Sequence, residues 1–375
     1  MNKQNSKAIY PILFGFFVMG FADVVGIATN YVKVDFSLSD TLANLIPMMV
    51  FLWFALFSIP TGVMMGKLGR RNTVVIALAV TALAMLLPLF FYDFACILLA
   101  FALLGIGNTI LQVSLNPMVA NVVSPDRITS VIKSISSFLG PIIAGAAASF
   151  WGDWKLIFLV YAVTTLISTI WLIFTIPGKE KLEEAGATFA TTLSLFKDKY
   201  IVSLFLGILF IVGIDVGLNT TIPKLLMERT GMPVSEAGLG TSLYFAARTI
   251  GSFAGAFLLA KLSGARFLKY SMFVAIAAFV LLLLVPDMWS MFVMIVIVGL
   301  ACANVFSIIF SYALQHKPER ANEISALMIM GVSGGALITP LMGIVADGFG
   351  QVAGLSILLL CILYICIISF RIDKK

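Results

Sequence analysis

Charge is what this chain has least of. Only 11% of its 375 residues are Asp, Glu, Lys or Arg, against 61% hydrophobic residues, a balance that excludes an ordinary soluble domain. Histidine occurs once and cysteine four times. Cys96, Cys302, Cys361 and Cys366 all fall inside apolar runs, where they read as small packing residues. No spacing among them suggests a metal centre or a disulfide framework. Long polar stretches are nearly absent too. The short loops leave no room for a soluble catalytic domain, and no cofactor is expected.

What the chain does have is a series of apolar runs, each long enough to cross ~30 Å of hydrocarbon as a helix. Their pattern predicts an all-α integral membrane protein of twelve transmembrane helices, near 10–32, 43–65, 73–91, 95–120, 129–150, 155–176, 200–226, 237–262, 268–286, 288–314, 323–345 and 352–370. The first run is too long for a signal-peptide core and lacks a small-residue cleavage site, so it reads as a retained helix.

The net charge of +6 invites a nucleic-acid partner, but the placement of the charge argues against one. With both termini cytoplasmic, eighteen Lys and Arg residues lie in cytoplasmic segments, and only Lys33, Lys155, Lys224 and Arg229 lie opposite. Such an asymmetry is a topology signal and names the lipid bilayer as the partner.

One substantial polar stretch remains, from Pro177 to Lys199, with Lys179-Glu180-Lys181-Leu182-Glu183-Glu184 near its start. It reads as a cytoplasmic linker, 177–199, between a six-helix bundle at 1–176 and another at 200–375. The halves echo each other. Ser124-Pro125-Asp126-Arg127 and Lys317-Pro318-Glu319-Arg320 follow the fourth and tenth spans, 193 residues apart. Two acids, Asp23 in the first span and Asp215 in the seventh, are 192 apart. A carboxylate in a membrane helix costs several kcal/mol on insertion and by default marks a substrate or ion pathway. Repeated in two halves, it reads as a transporter.

Two parallel pseudo-symmetric six-helix halves resemble the major facilitator superfamily, whose fold places the binding site at midplane between them. The loop after the second span extends the likeness. Gly62-Val63-Met64-Met65-Gly66-Lys67-Leu68-Gly69-Arg70-Arg71 is similar to that superfamily's cytoplasmic gating signature of Gly, acid, base, Gly and two bases. Gly66 stands where the acid belongs, whereas Lys67, Gly69, Arg70 and Arg71 match. Gly69 suits a tight turn, and the arginines suit helix ends and anionic headgroups.

Several polar side chains share helix faces inside the predicted spans. Asn108, Gln112 and Asn116 recur every four residues in the fourth, and carboxamides suit a polyhydroxylated ligand. The same face could instead bond neighbouring helices. Asn30 shares a face with Asp23, and Asn219 follows Asp215 by one turn. Tyr244 and Arg248 lie together in the eighth span, where Arg248 is the expected partner of Asp215, as a functional or a structural ion pair. That pairing keeps Asp215 charged and leaves Asp23 as the carboxyl free to gain and lose a proton. Asn304 and Ser307 lie on one stripe of the tenth span, and Trp53 in the second could stack on a sugar ring or simply pack.

Leu111-Gln112-Val113-Ser114-Leu115-Asn116-Pro117 resembles the fourth helix of the fucose permease family, bacterial fucose, galactose and glucose–proton symporters. That family carries an acid four residues before its Asn-Pro pair; here Gln112 replaces it. The resemblance implies proton-coupled uptake of a monosaccharide across a bacterial inner membrane, with proton coupling falling to Asp23 and with Asp215 and Arg248 as its counterpart. The chain is expected to act as a monomer. A proton-driven exporter of drugs or other amphipathic molecules is the alternative. An enzyme is not: Gly331-Val332-Ser333-Gly334-Gly335 has the spacing of a nucleophile elbow but lies within a predicted membrane helix, and His316 has no evident orienting partner.

Overall fold

The computed structural model of the protein describes residues 3–120, 125–175, 188–259 and 261–372. Among the described residues there is no strand; nearly everything is helix. In hydrocarbon every backbone N–H and C=O must find a partner within its own segment, and apolar helices are the solution.

Ten helices are long and apolar enough to cross a membrane. They are α1 (Tyr10–Asp35), α2 (Asp40–Met65), α3 (Arg70–Phe90), α4 (Phe94–Leu115), α6 (Leu156–Thr175), α7 (Lys199–Thr230), α9 (Gly264–Leu284), α10 (Met288–His316), α11 (Glu323–Phe349) and α12 (Gln351–Ile372). Between them lie α5 (Pro125–Trp151), whose Ile135–Trp151 portion is apolar, and α8 (Val234–Leu258). These two are the more polar pair, because they carry Ser136 and Ser137, and Thr241, Ser242 and Arg248, respectively. The start of the expected linker, through residue 187, lies outside the described residues; its end forms a short helix, Phe189–Ser194, capped by Thr188.

Within each group of six, neighbouring helices pack closely: α3 against α4 and α6 in the first, α9 against α10 and α12 in the second. Among the described residues the groups meet where α5 packs on α8, α1 on α7 and on α8, and α2 on α11. The meeting surfaces are built from small residues that let backbones approach. A Cβ added at Gly145 of α5 would stand 2.6 Å from the carbonyl oxygen of Ser235 in α8. One added at Gly26 of α1 would stand 2.0 Å from Asn219 Oδ1 of α7.

The Gly331-Val332-Ser333-Gly334-Gly335 stretch belongs to this packing. Gly331–Ser333 forms a 3-10 turn inside α11, and a Cβ at Gly334 would fall 1.8 Å from the carbonyl oxygen of Leu209 in α7. The nucleophile-elbow spacing is thus a helix-crossing motif. His316 does have a partner, contrary to the expectation from sequence: its Nε2 lies 3.1 Å from Asp198 Oδ2, 118 residues away.

Candidate functional site

Asp23 sits where α1 changes its winding. The helix is α-helical to Met19, tightens into a 3-10 turn over Gly20–Val24, and resumes as α-helix at Val25. Such a turn in mid-helix often marks a functional position. Asn108 of α4 braces it, its Nδ2 donating to the Met19 carbonyl at 2.6 Å. The Asp23 carboxylate is half-buried. Its Oδ2 accepts a hydrogen bond from Ser137 Oγ of α5 at 2.5 Å. Tyr161 of α6, stacked flat on Phe21 with ring centroids 3.8 Å apart, completes the wall behind it.

Asp215 has different company. Arg248 of α8 forms the expected ion pair with its Oδ2, and Tyr244 donates its hydroxyl to Oδ1 at 2.6 Å. The two side chains of the ion pair remain 17% and 16% exposed. The Arg248 guanidinium also lies 6.0 Å from the Tyr244 ring centroid, at the edge of cation–π range. The two acids therefore occupy matching places in α1 and α7 but differ in chemistry. One faces a neutral hydroxyl and the other a fixed cation.

Four amides expected to face a solute are spent on main-chain carbonyls. Asn219 donates to the Asp23 carbonyl at 2.7 Å, across the junction of the two halves. Asn30 returns the gesture, donating to Thr220 O at 3.0 Å as well as to Gly26 O at 2.7 Å. Asn304 occupies a break in α10 and donates to Gly251 O of α8 at 2.8 Å. Together with Asn108, these side chains are buried. An amide committed to a carbonyl gives rigidity, since a buried donor left unmade would cost about 1–3 kcal/mol.

Four of the expected residues keep buried polar atoms without a protein partner among the described residues: Gln112 Oε1, Trp53 Nε1 and the amide oxygens of Asn30 and Asn219. The Gln112 and Trp53 side chains are half-buried, and Trp53 lies edge-on to Phe57 with centroids 5.7 Å apart. Ser307 is exposed on α10. The Asn116 side chain lies outside the described residues. Sequence reasoning passed over Ser137; a serine in a membrane helix carries no signal of its own until Asp23 is seen beside it.

The loop between α2 and α3 has the tight geometry its glycine allows. Gly69 adopts φ +80°, a left-handed value costly for other residues, and caps the second helix through Gly69 N to Met65 O at 2.9 Å. Arg71 reaches the last turn of α6, donating to Ile173 O at 2.8 Å, where a cation complements the helix dipole. Lys67 is exposed and Arg70 half-buried. Among the described residues no cluster of His, Cys, Asp and Glu could hold a metal ion.

Known proteins resemble this chain over nearly its whole length. The Major Facilitator Superfamily profile matches residues 12–340. A glucose/galactose transporter of Brucella abortus is 24% identical over 388 aligned residues, covering 97% of this chain and 93% of that protein. A putative glucose/galactose transporter of Helicobacter pylori is 25% identical, covering 99% and 98%. Among solved structures, a bacterial homologue of the lysosomal transporter Spinster, inward-facing and occupied, superposes with TM-score 0.79 at 18% identity, covering 100% of this chain and 98% of that one. The E. coli fucose:proton symporter FucP gives 0.68 at 16% identity, covering 98% and 100%. At such identities the superpositions speak for the fold.

Proposed function

Because the chain belongs to the Major Facilitator Superfamily, we propose that it is a proton-coupled importer of a monosaccharide, a hexose or deoxyhexose. It is a multi-pass membrane transporter, and its relatives named for glucose and galactose support a sugar as the solute. The observation that carries proton coupling is the unequal company of the two acids. Asp215 is matched by Arg248 and acts as a fixed charge. Among the described residues Asp23 accepts from the Ser137 hydroxyl, which tolerates either protonation state, and is paired with no cation, so on this reading Asp23 is the proton carrier.

The sugar-binding set narrows accordingly. Gln112, Trp53 and the amide oxygens of Asn30 and Asn219 have polar atoms to offer a hydroxylated ring, whereas Asn108, Asn304 and Tyr244 hold helices or the second acid in place. Asn116 and Ser307 stay within the proposed set as neighbours on the same stripes. The excess of Lys and Arg at one face orients the termini to the cytoplasm of a bacterial inner membrane. Segments 1–176 and 200–375 rock as two bodies about the site, joined by 177–199, in a monomer, with the α2–α3 loop (Lys67, Gly69, Arg70, Arg71) gating the cytoplasmic side. One proton moving through ~100 mV contributes ~2.3 kcal/mol, enough for roughly fifty-fold accumulation.

The test is electrical. Purified protein in proteoliposomes is offered hexoses, deoxyhexoses and pentoses, with and without a pH gradient. A sugar-specific inward current that follows the proton gradient supports symport. Sugar flux without current or pH response makes the protein a facilitator. Silence for every sugar, with transport of amphipathic cations instead, makes it an exporter.

A further inference from the structure

At the face of the molecule away from the termini, charged side chains from both halves meet in a compact cluster around one buried pair. Asp40, at the start of α2, is its centre. Its Oδ1 lies 2.7 Å from Lys33 Nζ at the end of α1 and 2.7 Å from Lys224 Nζ in α7. Gln351, the first residue of α12, donates to Oδ2. Asp347, near the end of α11, accepts from the backbone N–H groups of Asp40 and Thr41 at 2.7 and 2.8 Å. Lys33, Asp40 and Thr41 belong to the first half; Lys224, Asp347 and Gln351 belong to the second. The Lys224 and Asp40 side chains are only 6% and 7% exposed.

Burial makes this pair conditional. Two charges taken out of water are tolerated together, but removing one strands the other and is strongly destabilising. The compensation exists only while the halves touch at this face; when they part, both groups regain water. Loss of one partner therefore penalises the closed state of this face, where the other is buried, with no comparable demand on the open one. The cluster's two lysines and two aspartates cancel, so closure gathers no net charge.

We infer that Asp40 and Lys224 form an ion-pair gate that sets how often this face opens, and that Asp347 and Gln351 hold Asp40 in register for it. The inference needs only a rocking transporter and is independent of the solute, the proton and the orientation in the membrane.

The test uses the accessibility of a buried reporter. Thr220 of α7 is 1% exposed and lies at the α1–α7 junction that must part when this face opens. Thr220→Cys is introduced together with Cys96→Ser, since the other cysteines are buried, and the protein is placed in lipid nanodiscs where both faces meet a polar maleimide. Asp40→Asn, which strands the buried Lys224, should raise the labelling rate on the order of tenfold, and Lys224→Met, which leaves Asp40 its bond to Lys33, should raise it by a smaller factor. The double variant should go little further, because each change breaks the same pair. Asp40→Glu should stay slow. Asp198→Asn, which cuts a different ion pair at the opposite face, controls for general loosening. Unchanged labelling in folded Lys224→Met or Asp40→Asn overturns the gate. So does equal acceleration by Asp198→Asn. Should Asp40→Asn fail to fold, Lys224→Met and Gln351→Met give the same reading.

Discussion

The side-chain amide of Asn219 donates to the main-chain carbonyl of Asp23 at 2.7 Å, so the proposed proton carrier in one half is tied through its own backbone to the other half. The reciprocal bond from Asn30 to Thr220 O lies about two turns along α1 and makes the tie two-stranded. Whatever moves Asp23 during a cycle is felt at the α1–α7 junction.

Asn219→Ala should lower stability by about 1 kcal/mol, the net worth of one ordinary hydrogen bond. Gly26→Ala should cost more, because its methyl group would collide with both the Asn219 side chain and the Asn219 carbonyl oxygen, 2.6 Å away. Thermal unfolding of the detergent-purified variants, followed by tryptophan fluorescence, ranks the two. Equal losses would mean that the junction adjusts more freely than its spacing suggests.

Asp23→Asn retains an acceptor for Ser137 and removes the titratable group. It should abolish accumulation driven by a pH gradient and leave sugar exchange at equilibrium within a few-fold of the parent. Parallel uptake and counterflow assays separate the two effects, and full accumulation by the variant would remove Asp23 from the coupling role.

Arg248→Met strands Asp215 in the membrane and should destabilise the protein by about 3–5 kcal/mol. Adding Asp215→Asn should recover a large part of that loss, since no uncompensated charge then remains. Unfolding temperatures of the two single variants and the double variant close the cycle; simple additivity would show that the groups are energetically independent.

At the termini face, Asp198 caps α7 and gathers Lys317 at 2.6 Å and His316 at 3.1 Å. Partial burial pushes its carboxyl upward, but hydrogen bonds from Lys317, His316 and the backbone N–H groups of Ile201 and Tyr200 outweigh it and hold the carboxyl well below the usual carboxylate range. A depressed folded-state value gives stability that is fully present above the unfolded value near ~4 and is lost as pH falls through the folded one. Melting temperatures recorded from neutral pH down to about pH 3 should therefore fall less steeply in Asp198→Asn than in the parent.

The helices were legible because length and hydropathy are local properties, and the structure moves their ends by only a few residues. The Asp215–Arg248 pair was legible too, as a lone cation beside a lone acid in apolar surroundings. The amides were less so. An Asn in a membrane helix announces that it must bond to something, but the periodicity of Asn30, Asn108, Asn219 and Asn304 is the same whether the acceptor is a sugar or a backbone carbonyl. The Asp40 cluster was invisible for another reason. Lys33 and Lys224 count as loop charges in a topology argument, and the 184 residues separating Lys224 from Asp40 conceal that they touch.

The hydroxyl that Ser137 extends to Asp23 carries one further implication. A hydroxyl rotor can donate toward an anion or, turned about its C–O bond, accept from an acid. In the proposed coupling role, the same contact at 2.5 Å would serve the protonated and the ionised carboxyl alike. Protonation in that role would call for the hydroxyl hydrogen to turn while the Ser137–Asp23 contact is kept. Threonine at position 137 would keep that rotor, whereas alanine would replace a reversible contact with a carboxyl forced to solicit water each time it changes state.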